Sequence, residues 1–192
     1  MTGDAVTGNA GSETGPRVRT VPAGDDRERL TCPDCGFIAY ENPKIVVGSV
    51  VHHGDRILLC RRSIEPRSGF WTLPAGYLEL GETPAEGARR EAEEEARATI
   101  EIEGLLAVYA IRRISQVQLI HRARLLDPDR IAAGPESLEV GLFRWRDIPW
   151  AEIAFPSVTW ALEAFRAVGT GPIGAPAGNP PDAEGGLAPA GV

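Results

Sequence analysis

Residues 83–98 leave this chain little choice of local structure. Thr83-Pro84-Ala85-Glu86 has the form of a capping box with proline at the first helical position, so a helix starts there. Arg, Glu and Ala favour helix up to about Ala96, and the β-branched pair Thr99-Ile100 then opens a strand pattern. Ala85, Ala88, Ala92 and Ala96 make a stripe of small side chains that lets the helix press closely against a sheet. Beside that stripe, Glu91, Glu94 and Glu95 fall within one arc, because their spacings are i, i+3 and i+4. A helix of this kind needs a sheet to lie on and something to neutralise its rim.

The flanking sequence supplies the sheet. Ile45 to His52 is a β-branched run, and Arg56-Ile-Leu-Leu-Cys60 follows the turn-like His53-Gly54-Asp55, which predicts a hairpin. Residues 99–111, 117–126 and 139–146 read as further strands. Val158 to Val168 reads as an amphipathic helix with Val158, Ala161, Leu162 and Phe165 at helical spacing. The order strands, helix, strands, helix predicts an α/β architecture with a mixed sheet covered by helices on both faces. Residues 1–16, and 169–192 with their Gly/Pro/Ala composition, carry no periodic apolar pattern and are expected to be disordered tails. There is no internal repeat.

Charge narrows the partners. The formal net charge of the 192 residues is -7, which argues against a ligand held by phosphate-backbone attraction, so nucleic acid is not the expected partner. No apolar run approaches the roughly 20 residues that span a bilayer, so no membrane partner is expected either. The opening residues lack the basic start and apolar stretch of a signal peptide, and the expected location is cytoplasmic. Three cysteines, Cys32, Cys35 and Cys60, are too few and too unevenly spaced for a disulfide scaffold.

A run of glutamates on a helix is ordinarily a solvated face. Here the surroundings say otherwise. Three carboxylates this close repel one another unless a cation neutralises them, and oxygen-only clusters suit Mg²⁺ or Mn²⁺. Gly76, Glu82, Arg90, Glu91, Glu94 and Glu95 fit the pattern G-x5-E-x7-R-E-u-x-E-E-x-G-u, in which u is bulky or apolar. That pattern is the Nudix signature, and the chain resembles Nudix hydrolases over roughly residues 21–168. It departs from the pattern in the small residues Ala92 and Ala98, and in Arg97, which stands where the pattern has glycine to leave the helix through a left-handed conformation. Cys32-Pro-Asp-Cys35-Gly, Asn42-Pro43-Lys44, Trp71-Thr-Leu-Pro-Ala-Gly76, Pro135-Glu-Ser-Leu-Glu139 and Ala154-Phe-Pro-Ser157 further resemble the branch that carries an N-terminal zinc ribbon, including the ADP-ribose and FAD pyrophosphatases of bacteria and plants.

The resemblance implies the Nudix fold, an α/β/α sandwich, over residues 41–168, preceded by a ribbon-like segment at 17–40. It implies Mg²⁺-dependent hydrolysis of the diphosphate in ADP-ribose or FAD with release of AMP. NADH and nucleoside triphosphates are the alternative substrates, and a nucleotide sensor without turnover is the alternative role. Glu91, Glu94 and Glu95 would bind the metal, Arg90 would orient a glutamate, and Gly76 would allow close approach of the loop backbone. The proton of the attacking water could go to Glu95, or to a loop carboxylate, Glu136 or Glu139. Arg61 and Arg62 end a strand ahead of the catalytic loop and could hold substrate phosphate, and Gly76 and Glu139 are the further substrate-binding candidates. Many Nudix enzymes are dimers, which leaves a homodimer open.

The ribbon is incomplete. Cys32-x2-Cys35-Gly36 has the form of one zinc knuckle, whereas a structural site needs four ligands. Aligning the family on Pro22-Ala-Gly-Asp-Asp26 puts Ala10 and Glu13 where a second cysteine pair belongs. A vestigial ribbon without structural Zn²⁺ is therefore expected, and a metal shared between two chains stays open. This also disfavours a zinc-ribbon nucleic-acid binder. Trp71, Tyr77, Tyr109 and Phe143 could stack on a ring, although aromatics near strands are more often core. His52, His53 and His121 have no ligand spacing with the cysteines and read as turn or strand-surface residues.

Overall fold

A computed structural model describes residues 14–181 and residue 183. The chain divides between Asn42 and Pro43 into two units.

In the first unit, β1 (Val18–Thr20), β2 (Arg29–Thr31) and β3 (Ile38–Ala39) form an antiparallel sheet in that order. The cysteine knuckle lies between β2 and β3. Gly36, at φ 74°, donates its N–H to the Cys32 carbonyl at 2.9 Å, and the Cys32 N–H donates to Phe37 O at 2.8 Å. Arg17 bonds both oxygens of Asp34 within the knuckle, at 2.7 and 3.0 Å. Backbone N–H groups of Cys35 and Asp34 hold the Cys32 thiol below its ordinary value. Cys32 is buried and Cys35 exposed, and neither is in a disulfide. Ala10 and Glu13, the positions aligned with the second cysteine pair, lie outside the described residues.

The second unit is built on β4 (Lys44–His53), β5 (Arg56–Arg62), β6 (Trp71–Thr72), β7 (Ala75–Tyr77), α1 (Pro84–Ala96), β8 (Ile100–Ile111), β9 (Gln116–Leu125), β10 (Ser137–Arg144) and α2 (Pro156–Val168). The sheet runs β10-β5-β4-β9-β8, with β6 added to β5 and β7 to β4. It is mixed, since β4 and β9 pair in parallel while β8–β9 and β10–β5 are antiparallel. The expected hairpin is present, but β4 and β5 stay paired only at His52↔Ile57 and His53↔Arg56. Beyond that they splay. β7 then takes Val46 to Gly48 of β4, and β6 takes Cys60 and Arg61 of β5. The segment between β5 and α1 enters through that opening.

Successive residues of a strand face opposite sides, and the two cores follow from that rule. Val50 belongs to the cluster under α2 with Leu106, Tyr109, Val158, Ala161 and Leu162, while Val51 belongs to the cluster under α1 with Leu58, Ala92 and Ala96. Trp160 and Tyr109 meet edge to face, their centroids 5.5 Å apart. No helix among the described residues is long and apolar enough to cross a membrane.

Several expectations need correction. Residues 169–181 are not a loose tail, because Ala177 pairs with Ala107 at the edge of β8 and the Asn179 side chain bonds Ala110. These contacts use backbone groups and one amide, which hydropathy does not register. Of the other tail residues, 1–13, 182 and 184–192 lie outside the described residues. His52 and His121 are buried rather than on a turn or strand surface. The Nε2 of His52 lies 3.1 Å from Glu103, and His121 is desolvated enough to hold its pKa below the ordinary histidine value. Trp71 and Tyr109 are core residues, in line with the expectation for aromatics near strands, and Tyr77 stays half exposed.

Candidate active site

Helix α1 carries the site, and its ends show why it lies where it does. Thr83 Oγ1 accepts from the Glu86 N–H at 3.3 Å while the Glu86 carboxylate accepts from the Thr83 N–H at 2.8 Å, which satisfies two N-terminal donors. At the other end Arg97 adopts φ 52° and ψ 28°, the left-handed exit for which the pattern has glycine. The next loop completes the cap. Ala132 N–H donates to Ala96 O and Gly134 N–H to Glu95 O, each at 3.0 Å. Gly134 touches the helix backbone so closely that any Cβ would overlap the Glu94 carbonyl, its carbon only 2.8 Å away.

Within this frame Arg90 organises the carboxylates. Its Nε and Nη2 grip both oxygens of Glu82 at 2.7 and 3.1 Å, and Nη2 also donates to Tyr77 O at 2.9 Å. Nη1 bridges Glu91 at 2.7 Å and Glu94 at 2.9 Å. A guanidinium has five N–H donors in a fixed fork, so one residue sets the positions of three carboxylates and the β7 backbone. In the sequence Glu82 stands out only through its spacing from Gly76 and Arg90, which does not disclose its place in this clamp.

Glu91 and Glu95 are each 7% exposed. Burial, then the neighbouring Glu91 charge, pushes Glu95 up to about 8, against the pull of the Ala75 N–H and Arg62. Glu91 is raised by burial as well, although Arg90 opposes the shift. Gly76 makes room for this arrangement, since a Cβ there would sit 2.5 Å from the Glu91 Cδ.

These residues open onto a cleft of about 1890 Å³, lined in part by Arg62, Gly76, Arg90, Glu91, Glu94 and Glu95. Of the two loop carboxylates, Glu136 lines the cleft. Glu139 instead pairs with Arg61 at 3.6 Å, and neither of these two lines the cleft. Arg61 and Arg62 are consecutive and so face opposite ways. Arg61 donates to Gly69 O and stacks near Trp71, while Arg62 donates to Pro66 O and lies over Phe155, 5.2 Å from its centroid. The cleft thus brings together Arg62, Gly76, Arg90, Glu91, Glu94 and Glu95 but not Arg61 or Glu139.

The donor set suits a hard divalent cation. Two buried carboxylates and a third at their rim carry oxygen donors only, and burial biases the first two toward their protonated forms, a bias that a bound cation would reverse. Arg90 takes one oxygen each from Glu91 and Glu94, and an ionised carboxylate has about four lone-pair sites in all, so acceptor capacity remains for a cation. Among the described residues, these glutamates included, no group of three His, Cys, Asp or Glu side chains is arranged so as to hold a metal ion.

Residues 42–161 match the family described as NUDIX domain, and residues 14–41 match the family described as Nudix N-terminal, a zinc-ribbon family. An ADP-ribose pyrophosphatase of Methanocaldococcus jannaschii is 30% identical over 113 residues, which cover 57% of this chain and 67% of that protein. A MutT-like protein of Streptomyces ambofaciens is 39% identical over 79 residues, 41% of this chain and 49% of that protein, so the chain spans about half of this second relative. The crystal structure of a NUDIX hydrolase from Nitrosomonas europaea is 43% identical, with a TM-score of 0.78 over 90% of this chain and 95% of that one.

Proposed function

Because the chain belongs to the Nudix hydrolase family, we propose that it is a Mg²⁺-dependent diphosphatase acting on ADP-ribose or FAD, with AMP as one product. The observation that carries this reading is the set of carboxylates on α1, two of them buried and two of them, Glu91 and Glu94, held by one arginine, at the mouth of a roomy cleft. The likeness to an ADP-ribose pyrophosphatase supports the substrate class.

In this reading Glu91, Glu94 and Glu95 hold the metal. When bound, the divalent cation neutralises charge building on the diphosphate and activates a water. The chain's own groups do the rest. Arg90 keeps Glu91 and Glu94 oriented through its bonds to Glu82 and Tyr77 O, so little reorganisation is left for the reaction itself. Arg62 offers a cationic fork at the cleft wall for phosphate oxygens. Of the three carboxylates that the sequence offers for the water's proton, Glu95 and Glu136 line the cleft, whereas Glu139 pairs with Arg61 outside it.

Product analysis tests the proposal. Purified protein with Mg²⁺ or Mn²⁺ is offered ADP-ribose, FAD, NADH and nucleoside triphosphates. ADP-ribose should give AMP and ribose 5-phosphate, FAD should give AMP and FMN, and neither should release free pyrophosphate. At least one of the two should exceed the triphosphates about tenfold in kcat/KM, roughly 1.4 kcal/mol of discrimination. A triphosphate as the best substrate would overturn the substrate assignment, and no turnover of any diphosphate would favour a nucleotide sensor.

A further inference from the structure

The cleft has a wall that the metal end does not use. After α2 the chain turns back and crosses to the free edge of the sheet. Arg122, buried against Glu103 at 2.6 Å, donates from Nη1 to the carbonyls of Gly169 at 2.8 Å and Gly171 at 2.6 Å. Further on, Ala177 N–H donates to Leu106 O at 2.9 Å and Ala177 O accepts from Val108 N–H at 2.8 Å. Asn179 then does with its side chain what a strand does with its backbone. Its Oδ1 accepts from Ala110 N–H and its Nδ2 donates to Ala110 O, both at 2.9 Å.

From that anchor onward the chain enters the cleft. Asn179, Pro180, Pro181 and Ala183 line the same cleft as the α1 glutamates. Consecutive prolines fix φ and offer no N–H, which makes a stiff apolar surface. Ile111, Gln116, Gln118 and Trp160 line the cleft as well. Flat apolar surfaces with a few amide edges suit a planar heterocycle carrying hydrogen-bonding groups. The register shows how far this lies from the metal end. Ala110 pairs with Val117 on β9, Gln118 with Val46 on β4, and Val46 with Tyr77 on β7, next to Gly76. From the strap to β7 is four strand spacings, roughly 19 Å at about 4.8 Å each. A group seated against the strap therefore belongs to the part of the substrate beyond the diphosphate.

We propose that the strap of residues 169–181, locked to β8 by Asn179, is the specificity-determining wall for the heterocyclic base of the substrate, with Asn179 as a positioning residue. The proposal rests on the reading of the cleft as a nucleotide diphosphatase. Neither Asn179 nor the two prolines belongs to the carboxylate machinery.

The test uses the full chain with two sets of changes. Asn179→Ala removes both bonds to Ala110, and the double variant Pro180→Gly, Pro181→Gly keeps the anchor but softens the wall. Hydrogen exchange of the Leu106–Ala110 amides reports docking of the strap, tryptophan fluorescence during AMP titration reports binding, and steady-state kinetics on ADP-ribose separate KM from kcat. Asn179→Ala should speed exchange at Val108 and Ala110 and raise KM about tenfold while kcat stays within twofold. The double glycine variant should leave exchange unchanged, raise KM, and narrow the preference between adenine- and uracil-containing diphosphates. KM within twofold of the parent in both variants overturns the proposal, whatever the exchange result. If the parent chain hydrolyses no diphosphate but AMP binding weakens tenfold in Asn179→Ala, the wall stands and the activity reading fails. AMP binding equal in parent and variants sinks the wall.

Discussion

The two helices cover opposite faces of one sheet in opposite ways. Under α1 the contacts are made by Gly87, Ala88, Ala92 and Ala96, and a Cβ on Gly87 would already meet Val47 Cγ2 at 2.8 Å. Under α2 they are made by Val158, Ala161 and Leu162, with Trp160 and Phe165 packed at the margin. Small residues bring the α1 backbone so close that Glu91 and Glu95, on the rim of the stripe, are drawn into burial with it. Large residues on α2 remove more apolar surface from water, at roughly 25 cal/mol for each Å². On the proposed reading, close approach on one face serves chemistry, while the apolar packing of the other face offsets the cost of burying the two carboxylates.

The most direct challenge to this contrast is to remove charge from α1. Glu94→Gln or Glu95→Gln should leave the fold intact and lower kcat by a hundred- to thousandfold, about 2.7–4 kcal/mol of lost electrostatic stabilisation. Steady-state kinetics with saturating Mg²⁺, beside a thermal denaturation curve, check both halves. Near-normal turnover in both variants would take these residues out of the site. The complementary change is on α2. Leu162 is fully buried, and Leu162→Ala should cost roughly 3 kcal/mol in denaturant unfolding through lost transfer energy and a residual cavity. Its kcat, measured where the protein is still folded, should stay near that of the parent. A kcat that falls with stability would mean the two faces are not separate in function.

Gly76→Ala probes the α1 face more finely. The new Cβ would press on the carboxyl end of Glu91, which is buried and bonded to Arg90, so the fold should be destabilised by roughly 1–3 kcal/mol. The displaced carboxylate should lower kcat about tenfold, roughly 1.4 kcal/mol. Loss of stability without loss of turnover would show that the close approach at Gly76 serves packing alone.

How much of this is legible in the sequence depends on which forces set each part. Helix α1 is readable almost to the residue, because its start is encoded by local side chains, Thr83 and Glu86, that bond each other's backbone. The α/β class and the mixed sheet follow from periodicity, and the family match agrees with them. The splay of β4 from β5, which admits β6 and β7, is not readable, since it depends on which strand wins a partner rather than on local propensity. A strand end ahead of the loop groups Arg61 with the site, and a loop between strands groups Glu139 with it. Strand alternation instead sends Arg61 the other way and leaves Glu139 paired with it. The strap escapes a reading by periodicity because Gly, Pro and Ala carry no apolar period, and its anchors are backbone groups and the Asn179 amide. His52 and His121 are hard to place for a related reason: a buried histidine looks like an exposed one until its neighbours are known, Glu103 for His52 and Arg89 for His121.

A subtler change concerns the exit of α1, where sequence and geometry pull against each other. Arg97 occupies the left-handed region at φ 52°, a conformation that costs an ordinary L-residue about 1 kcal/mol relative to glycine. Arg97→Gly removes that strain but adds freedom to the unfolded chain and withdraws a cation from the helix C-terminus, worth about 0.3 kcal/mol at an exposed site. The net expectation is a gain of about 0.5 kcal/mol, readable as a small upward shift in the denaturant midpoint at unchanged m-value. Strain kept in place at a cleft invites a functional reason, and Arg97 lines the same cleft as Glu94 and Glu95. The kinetic half of the measurement decides the matter. A stabilised variant with parental KM for ADP-ribose would make Arg97 a tolerated departure from glycine, with the capping loop of Ala132 and Gly134 enough to hold the helix end. A stabilised variant whose KM rises severalfold at constant kcat would make the strained arginine a substrate contact, and would extend the functional face of α1 past its last turn.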